Sequence, residues 1–552
     1  MVPDYDEKES FIARNSGTSK SLWKSDYGEG LKRFPGIFGG VFDDYARRGK
    51  YWIDDLTTGA ITRKTLSAAL MMFLATFCST IALGASIARQ TDSHIGISEY
   101  LMMNGFAGMA HSLFGCQPLL ILRPTGPITL MTGQIFTLAG DINVDFLPLL
   151  AWTGIGIGIW MTVIAAFEVS RHIAMLTRFA HDVFAFFVSS IYVVDGIVGV
   201  CGRFSGPHNA AAALFALTIS VWLVVFASVL SSLRHASHLL SKPFRLLLAD
   251  YALSLATFTA TCLSYAYMGS IEVERLEVTS TSKWWTNPEP TLTGRSWPVP
   301  LFSTDSAGVV AITGIAISIP ITLFFYFDQN FSSLLCQVPE MQLSKGSYYH
   351  SSFLWMGIFN FFCPMFGFPF VTGSLPHSPQ MVTALRSDDD SGLHIGPKVK
   401  ENRISPFLVY FLILMSYLAF SQVIELIPTA AADAVLIFVG LEGICSTELW
   451  ARLPCLVTPD ADCPENIGDP SAARRFTLLQ LAVIGAGWGL NFTPAALAFP
   501  LVIATLVPIR VYLFPMLFTE KELAILDGDA HKVKVDSDLL SDVDEDLEEE
   551  VI

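Results

Sequence analysis

Hydrophobic positions come in runs of about 20 residues, and nearly all of the charges fall in the polar gaps between them. An α-helix needs about 20 apolar residues to cross a hydrocarbon core of about 30 Å. The pattern predicts segments near 66–88, 95–115, 127–140, 147–168, 174–200, 211–233, 246–268, 307–335, 351–367, 372–385, 405–424, 430–447, 475–491 and 494–513. The expected fold is therefore an all-α polytopic membrane protein of 14 segments. Two of these, 127–140 and 372–385, are too short to span, because a helix rises about 1.5 Å per residue.

Composition agrees. Only 15% of the 552 residues are charged and the mean hydropathy is +0.49, against about 25% charged residues in soluble domains. Much of the net charge of −16 sits in the tail "DSDLLSDVDEDLEEEVI" (536–552), a like-charge block expected to stay solvated. No basic patch interleaved with aromatics points to nucleic acid. The nine cysteines show no metal-ligand spacing, and Cys455 and Cys463 share a loop expected in the cytosol, so they read as free thiols. The first 60 residues are polar and lack a signal-peptide pattern. No Walker loop, HExxH or nucleophile elbow appears, so no enzyme is expected. The expected cofactor set is empty apart from a coupled sodium ion or proton.

Counting Lys and Arg with each segment reversing direction puts 28 of the 34 on the side of the N-terminus, five opposite, and Arg123 within the membrane. By the positive-inside rule both termini are cytosolic.

The short segments are third in the first seven and third in the second seven. Each follows a Gly-X-Pro stretch and a proline break, "GCQPLLILRPTGP" (115–127) and "GFPFVTGSLPHSP" (367–379). This arrangement predicts two inverted repeats, at 61–268 and 307–518. A cytosolic arm (1–60), an extracytosolic loop (269–306) and an acidic cytosolic tail (519–552) complete the chain. Interrupted segments at matching places in two repeats mark a transporter's midplane site.

Two half-helices starting there would aim their N–H groups and partial positive charges at one another, forming an anion site. Pro127 suits the first turn of one half-helix, as Pro376 or Pro379 suits the other. Arg123 supplies five donors for a planar oxyanion, or alternatively snorkels or pairs with a carboxylate. His377 offers a donor whose charge depends on pH, or a neutral structural ring. The anion-binding set is read as Arg123, Thr125, Gly126, Pro127, Ser374, Leu375 and His377. In "FFYFDQNFSSLL" (324–335), Asp328 and Ser332 lie one turn apart on one face. With Gly373 they form a candidate sodium or proton site, the alternative being Asp328 as counter-ion to Arg123. Glu168, Asp182, Asp195 and Glu425 lie near segment ends and read as interfacial.

At "QPLLILRPTGPI" (117–128), "RFAHDVFAFFVSSIYVVDG" (178–196), "FYFDQN" (325–330), "ENRISPF" (401–407) and "FTPAALAFPLVIATLVPIRVYLFPMLFTEKELAILDGDA" (492–530), the chain resembles the bicarbonate transporter family. That family contains anion exchangers, sodium-coupled bicarbonate carriers and borate exporters. The resemblance covers about 60–525. It implies half-helices at segments 3 and 10, core and gate (scaffold) domains, a homodimer formed through the scaffold, and elevator-type movement. Asp328 followed by Gln is similar to the sodium-coupled carriers, where Ser332 matches a hydroxyl of the sodium site. His377 stands where exchangers have a substrate-binding arginine and borate exporters a glutamine. Arg123 departs from the family's usual glycine, which reads as the positive charge being supplied from the first half-helix. The acidic pair of animal members after "GP" is Thr132 and Gly133 here.

The resulting expectation is a secondary-active inorganic anion transporter of the plasma membrane or an organelle membrane. It carries bicarbonate, by exchange (with chloride as one counter-anion) or with sodium. The alternative substrate is borate, which "FYFD", "LPHSPQMVTAL" (375–385) and the short N-terminal arm resemble. An anion channel and a non-transporting membrane anchor using the acidic tail are the readings of other classes.

Overall fold

Helices form where the apolar runs lie, and they stop at the charged gaps. The computed structural model describes residues 29–527 except 33, 35, 58–60, 176, 206–209, 237–239, 267–270, 272, 279–296, 303–305, 339–340, 388–397, 460–468 and 494–495. The expectations for the tail at 536–552, for the first 28 residues of the arm, for most of the 269–306 loop and for Cys463 lie outside the described residues.

The described order begins with α1 (Gly39–Gly49), α2 (Trp52–Thr57), α3 (Arg63–Gln90), α4 (Ile97–Phe114), β1 (Leu122–Arg123), α5 (Gly126–Asp141), α6 (Phe146–Ala166), α7 (Arg178–Ser205) and α8 (Ala210–Ser232). It continues with α9 (Lys242–Asp250), α10 (Ala252–Ala266), α11 (Ala307–Cys336), α12 (His350–Phe362), β2 (Thr372–Gly373) and α13 (His377–Ala384). A small ladder of β3 (Arg386–Ser387) with β4 (Lys398–Val399) follows, then α14 (Ile404–Ile424), α15 (Thr429–Cys445), α16 (Glu448–Arg452) and α17 (Pro470–Asn491). A broken stretch at Ala496–Leu517 and α18 (Glu520–Leu526) end the described chain.

Each of the 14 expected segments contains a helix. Among the described residues seven helices are long and apolar enough to cross a membrane, or up to nine if two bent pairs each count as one span. One bent pair is α9 with α10, which turns by 64°. The expected single segment 246–268 divides there because Lys242, Arg245 and Asp250 sit on α9, whereas α10 carries no charge. The expected helix at 372–385 is shorter than its apolar run, with only eight residues in α13. Pro376 has no N–H and disfavours helical backbone at Leu375, so the preceding residues form β2 and a turn. Pro500, Pro508 and Pro515 break Ala496–Leu517 into short pieces with a π-helical turn at Ile509–Leu513.

In the helical body α7 packs along α15, α6 against α11 and α12, and α4 against α14. The arm folds against this body with its charged face inward. Asp44, Arg48 and Asp55 are fully buried. Arg48 pairs with Asp55 at 2.6 Å and with Glu401 at 3.2 Å, while Arg403 Nε lies 3.3 Å from Asp55 and Lys345 2.7 Å from it. Glu168, at the end of α6, accepts the Phe34 and Gly40 N–H groups at 3.1 and 2.8 Å. Asp44 accepts the Ser351 N–H at 2.8 Å. The arm is thus fixed to α6, α12 and the segment leading into α14.

Candidate anion site

The two proline-rich breaks meet. Leu122 pairs with Gly373 and Arg123 with Thr372 in an antiparallel contact two residues long. The Ser374 N–H extends it by donating to the Ile121 carbonyl at 2.7 Å, and the Ile121 N–H donates to Ser378 Oγ at 3.1 Å. Buried non-helical backbone needs such partners, because water is unavailable to it. Two tyrosines supply further partners. The Leu122 N–H donates to the Tyr410 hydroxyl at 2.9 Å, and the Gly126 N–H to the Tyr192 hydroxyl at 2.8 Å. Each ring lies against a glycine: a Cβ on Gly108 would come within 2.0 Å of Tyr410, and one on Gly126 within 2.8 Å of Tyr192.

Short helices leave from this crossing. α5 has 16 residues, with Thr125 at its N-cap and Pro127 in its first turn. α13 has Pro376 at its N-cap and Pro379 two residues beyond its first, His377. Their lengths of about 24 and 12 Å fall short of a bilayer core. The Thr125 hydroxyl does not cap its helix. Leu375 occupies the turn before α13, partly exposed.

Arg123 is completely buried. Its Nη1 donates to Ser79 Oγ at 2.5 Å and lies 3.4 Å from His377 Nε2, and its Nε donates to the Pro124 carbonyl at 3.1 Å. Nη2 has no partner. Among the described residues Arg123 forms no ion pair, so the arrangement with Asp328 as its counter-ion is not what the structure holds. The neutral phenols of Tyr100, Tyr192 and Tyr410 lie around it.

Asp328, on α11, is also buried. It faces the hydroxyls of Thr125 and Thr372. Neither closes a hydrogen bond of normal geometry, and among the described residues Asp328 Oδ2, Thr125 Oγ1 and Thr372 Oγ1 all lack partners. Ser332 does lie one turn along, but its hydroxyl donates to the Gly373 carbonyl at 2.8 Å, while the Gly373 N–H donates to Gln329 Oε1 at 2.7 Å. Ser332 and Gln329 thus clamp β2, and the oxygens gathered at Asp328 are those of Thr125 and Thr372. Among the described residues no cluster of three or more His, Cys, Asp or Glu could hold a metal.

Of the acidic residues near segment ends, Asp182 pairs with Arg452 at 2.9 Å, and Asp195 accepts bonds from Ser86 and from Gln90. Asp433 did not stand out in the sequence. It is buried between Arg89 at 2.7 Å and Arg203 at 2.6 Å, joining α3, α7 and α15. Ser79, Tyr192, Tyr410, Gln329 and Thr372 were likewise missed. Only Gln329, beside Asp328, carried a local signal.

The protein is thus a polytopic helical body with an arginine buried where two breaks meet. The profile described as "HCO3- transporter integral membrane domain" matches residues 36–206 and 200–531. The chain belongs to the bicarbonate transporter family, a family of transporters and not of enzymes. It is 24% identical to the Band 3 anion transport protein of Rattus norvegicus over 552 residues, covering 93% of this chain and 57% of that protein. It is also 24% identical to the Anion exchange protein 3 of Danio rerio, covering 92% and 46%. The chain thus spans about half the length of these relatives. In fold it is similar to the transmembrane domain of a cyanobacterium bicarbonate transporter, BicA (TM-score 0.52, 15% identity, 77% of this chain and 97% of that one). A second similar fold is SLC26A9 (TM-score 0.53, 12% identity, 87% and 72%).

Proposed function

We propose that the protein is a secondary-active transporter of a small inorganic oxyanion, carrying bicarbonate by exchange or with sodium. One observation carries this reading: the buried Arg123, held at the crossing of the two breaks, has an Nη2 without a partner. A guanidinium there suits a planar oxyanion. The N-termini of α5 and α13 add positive dipole ends. The relatives named as anion transport and anion exchange proteins support the same substrate class. The antiparallel meeting of β1 with β2 fits two inverted seven-segment repeats of 14 segments, with α5 and α13 as half-helices. Asp328 with Thr125 and Thr372 is the place for a coupled sodium ion or proton. Elevator-type movement of a core domain against a gate domain, a homodimer in the plasma membrane and cytosolic termini complete the proposal.

Borate is the second reading. The hydroxyls of Thr125, Thr372 and Ser374 around the crossing suit a substrate that itself carries hydroxyl groups.

Purified protein in liposomes tests both. Bicarbonate-driven pH change and boric acid flux are measured with and without sodium, and saturable counterflow separates carrier from channel. Absence of flux for both anions overturns the reading.

A further inference from the structure

His377 heads α13, with one ring nitrogen toward each break. Nε2 is 3.4 Å from Arg123 Nη1, and Nδ1 is 2.9 Å from Ser374 Oγ. A guanidinium has donors and no lone pair, so in this contact Nε2 must accept. The ring proton of the neutral histidine then sits on Nδ1, where it donates to Ser374 Oγ. That leaves the serine's own hydroxyl proton free to point elsewhere, and among the described residues it has no other partner. A protonated ring would instead set an N–H against the arginine's.

We propose that His377 is a positioning residue and not an anion ligand: its ring accepts from Arg123 and donates to Ser374, turning the Ser374 hydroxyl into a donor for the oxyanion. The inference rests on the oxyanion reading above. Ser79 and His377 share Arg123 Nη1, which keeps Nη2 free. The relay Ser79, Arg123, His377, Ser374 therefore ends in two unused donors, one from each break. With the Ala75 backbone also against the ring, both ring nitrogens are engaged within the protein and neither remains for substrate.

Two measurements test it. The first is nitrogen NMR of the protein labelled at histidine nitrogens, assigned with His377→Gln. The Nδ1–H tautomer is expected, and an Nε2–H tautomer or an imidazolium overturns the proposal whatever the substrate is. The second compares flux and anion-dependent thermal stabilisation in His377→Leu, His377→Gln, Ser374→Ala and the Ser374→Ala/His377→Leu double variant. Leucine should raise the half-saturating anion concentration about 10-fold or more, as loss of a bond to a charged group does. Glutamine, whose amide both accepts and donates, should stay within about threefold of the parent. The double variant should be no worse than His377→Leu alone, and multiplicative losses would show the ring touching the anion itself. A parent protein that moves neither bicarbonate nor borate but shows the Nδ1–H tautomer sinks the transport reading and leaves the relay standing.

Discussion

Leu122 and Tyr410 lie 288 positions apart, yet the Leu122 N–H meets the Tyr410 hydroxyl at 2.9 Å. Tyr192 does the same for Gly126 at the head of α5. Tyr410→Phe or Tyr192→Phe leaves one buried N–H without a partner, a loss of about 1–3 kcal/mol. Thermal unfolding in detergent should show each variant less stable than the parent, with flux reduced in both. Unchanged unfolding for both would show that the hydroxyls do not hold the breaks.

Arg123→Ala should lower anion flux in liposomes by about 10- to 100-fold, the range for losing hydrogen bonds to a charged group. Arg123→Lys should fall between, because an ammonium keeps the charge but not the planar fork. Parent-like flux in the alanine variant would dismiss the guanidinium as an anion donor.

Asp328→Asn should remove the dependence of flux on sodium or on a proton gradient while the protein still assembles normally. Thr125→Val and Thr372→Val should each weaken that dependence in part, since each removes an oxygen facing the carboxylate. Ser332→Ala should act differently, loosening β2 and lowering stability. Full coupling in Asp328→Asn would place the cation elsewhere.

Asp55 is the hub of the buried arm network, touching Arg48, Arg403 and Lys345. Asp55→Ala takes the carboxylate from the fully buried Arg403 guanidinium and leaves Arg48 with Glu401 alone, and breaking a buried pair in this way costs about 3–5 kcal/mol. Chymotrypsin should then cut the arm at Tyr51 or Trp52 much faster than in the parent protein. Equal cutting rates would mean the arm is held without this network.

Burial pushes the Asp44 carboxyl from 3.8 up to about 7, against the pull of the Ser351 N–H and of Arg47, with Asp43 adding a smaller upward push. The folded arm therefore binds the proton more tightly than the unfolded one. Its contribution is fully present below about pH 4, is lost as pH rises, and is gone just above pH 7. Amide exchange across 39–49, corrected for intrinsic rates, should be slower at pH 6 than at pH 8, and Asp44→Asn should flatten that difference. A parent protein with equal protection at both values would contradict it.

The helices were legible because runs of about 20 apolar residues have few other uses, and the breaks because proline and glycine interrupt such runs. Arg123 was legible as an anomaly and His377 as its companion at the matching break, but Ser79 was not. Ser79 and His377 are 44 and 254 positions away, and nothing in an apolar run marks one serine as the one that meets a guanidinium. Tyr192 and Tyr410 look like ordinary core aromatics until the backbone N–H groups they satisfy are seen. Ser332 had the right spacing from Asp328 and a different task, since helical spacing fixes a face but not which neighbour occupies it. The arm misled in the opposite way. Its residues read only as a polar cytosolic segment, yet Arg48 and Asp55 are buried because their partners, Glu401 and Arg403, arrive from far along the chain.

The crossing of β1 with β2 also has a consequence for biogenesis. Ile121, Leu122 and Gly126 enter the bilayer long before the residues that satisfy two of them have been made. Ser378 lies 257 positions after Ile121, and Tyr410 lies 288 after Leu122, whereas Tyr192 follows Gly126 by only 66. Unsatisfied amides in hydrocarbon are expensive, so the first break must wait in water, in a chaperone or against a provisional partner until the second half is inserted. A ribosome that stops before residue 378 leaves a chain with α3 to α12 made and the first break still without Ser378 and Tyr410.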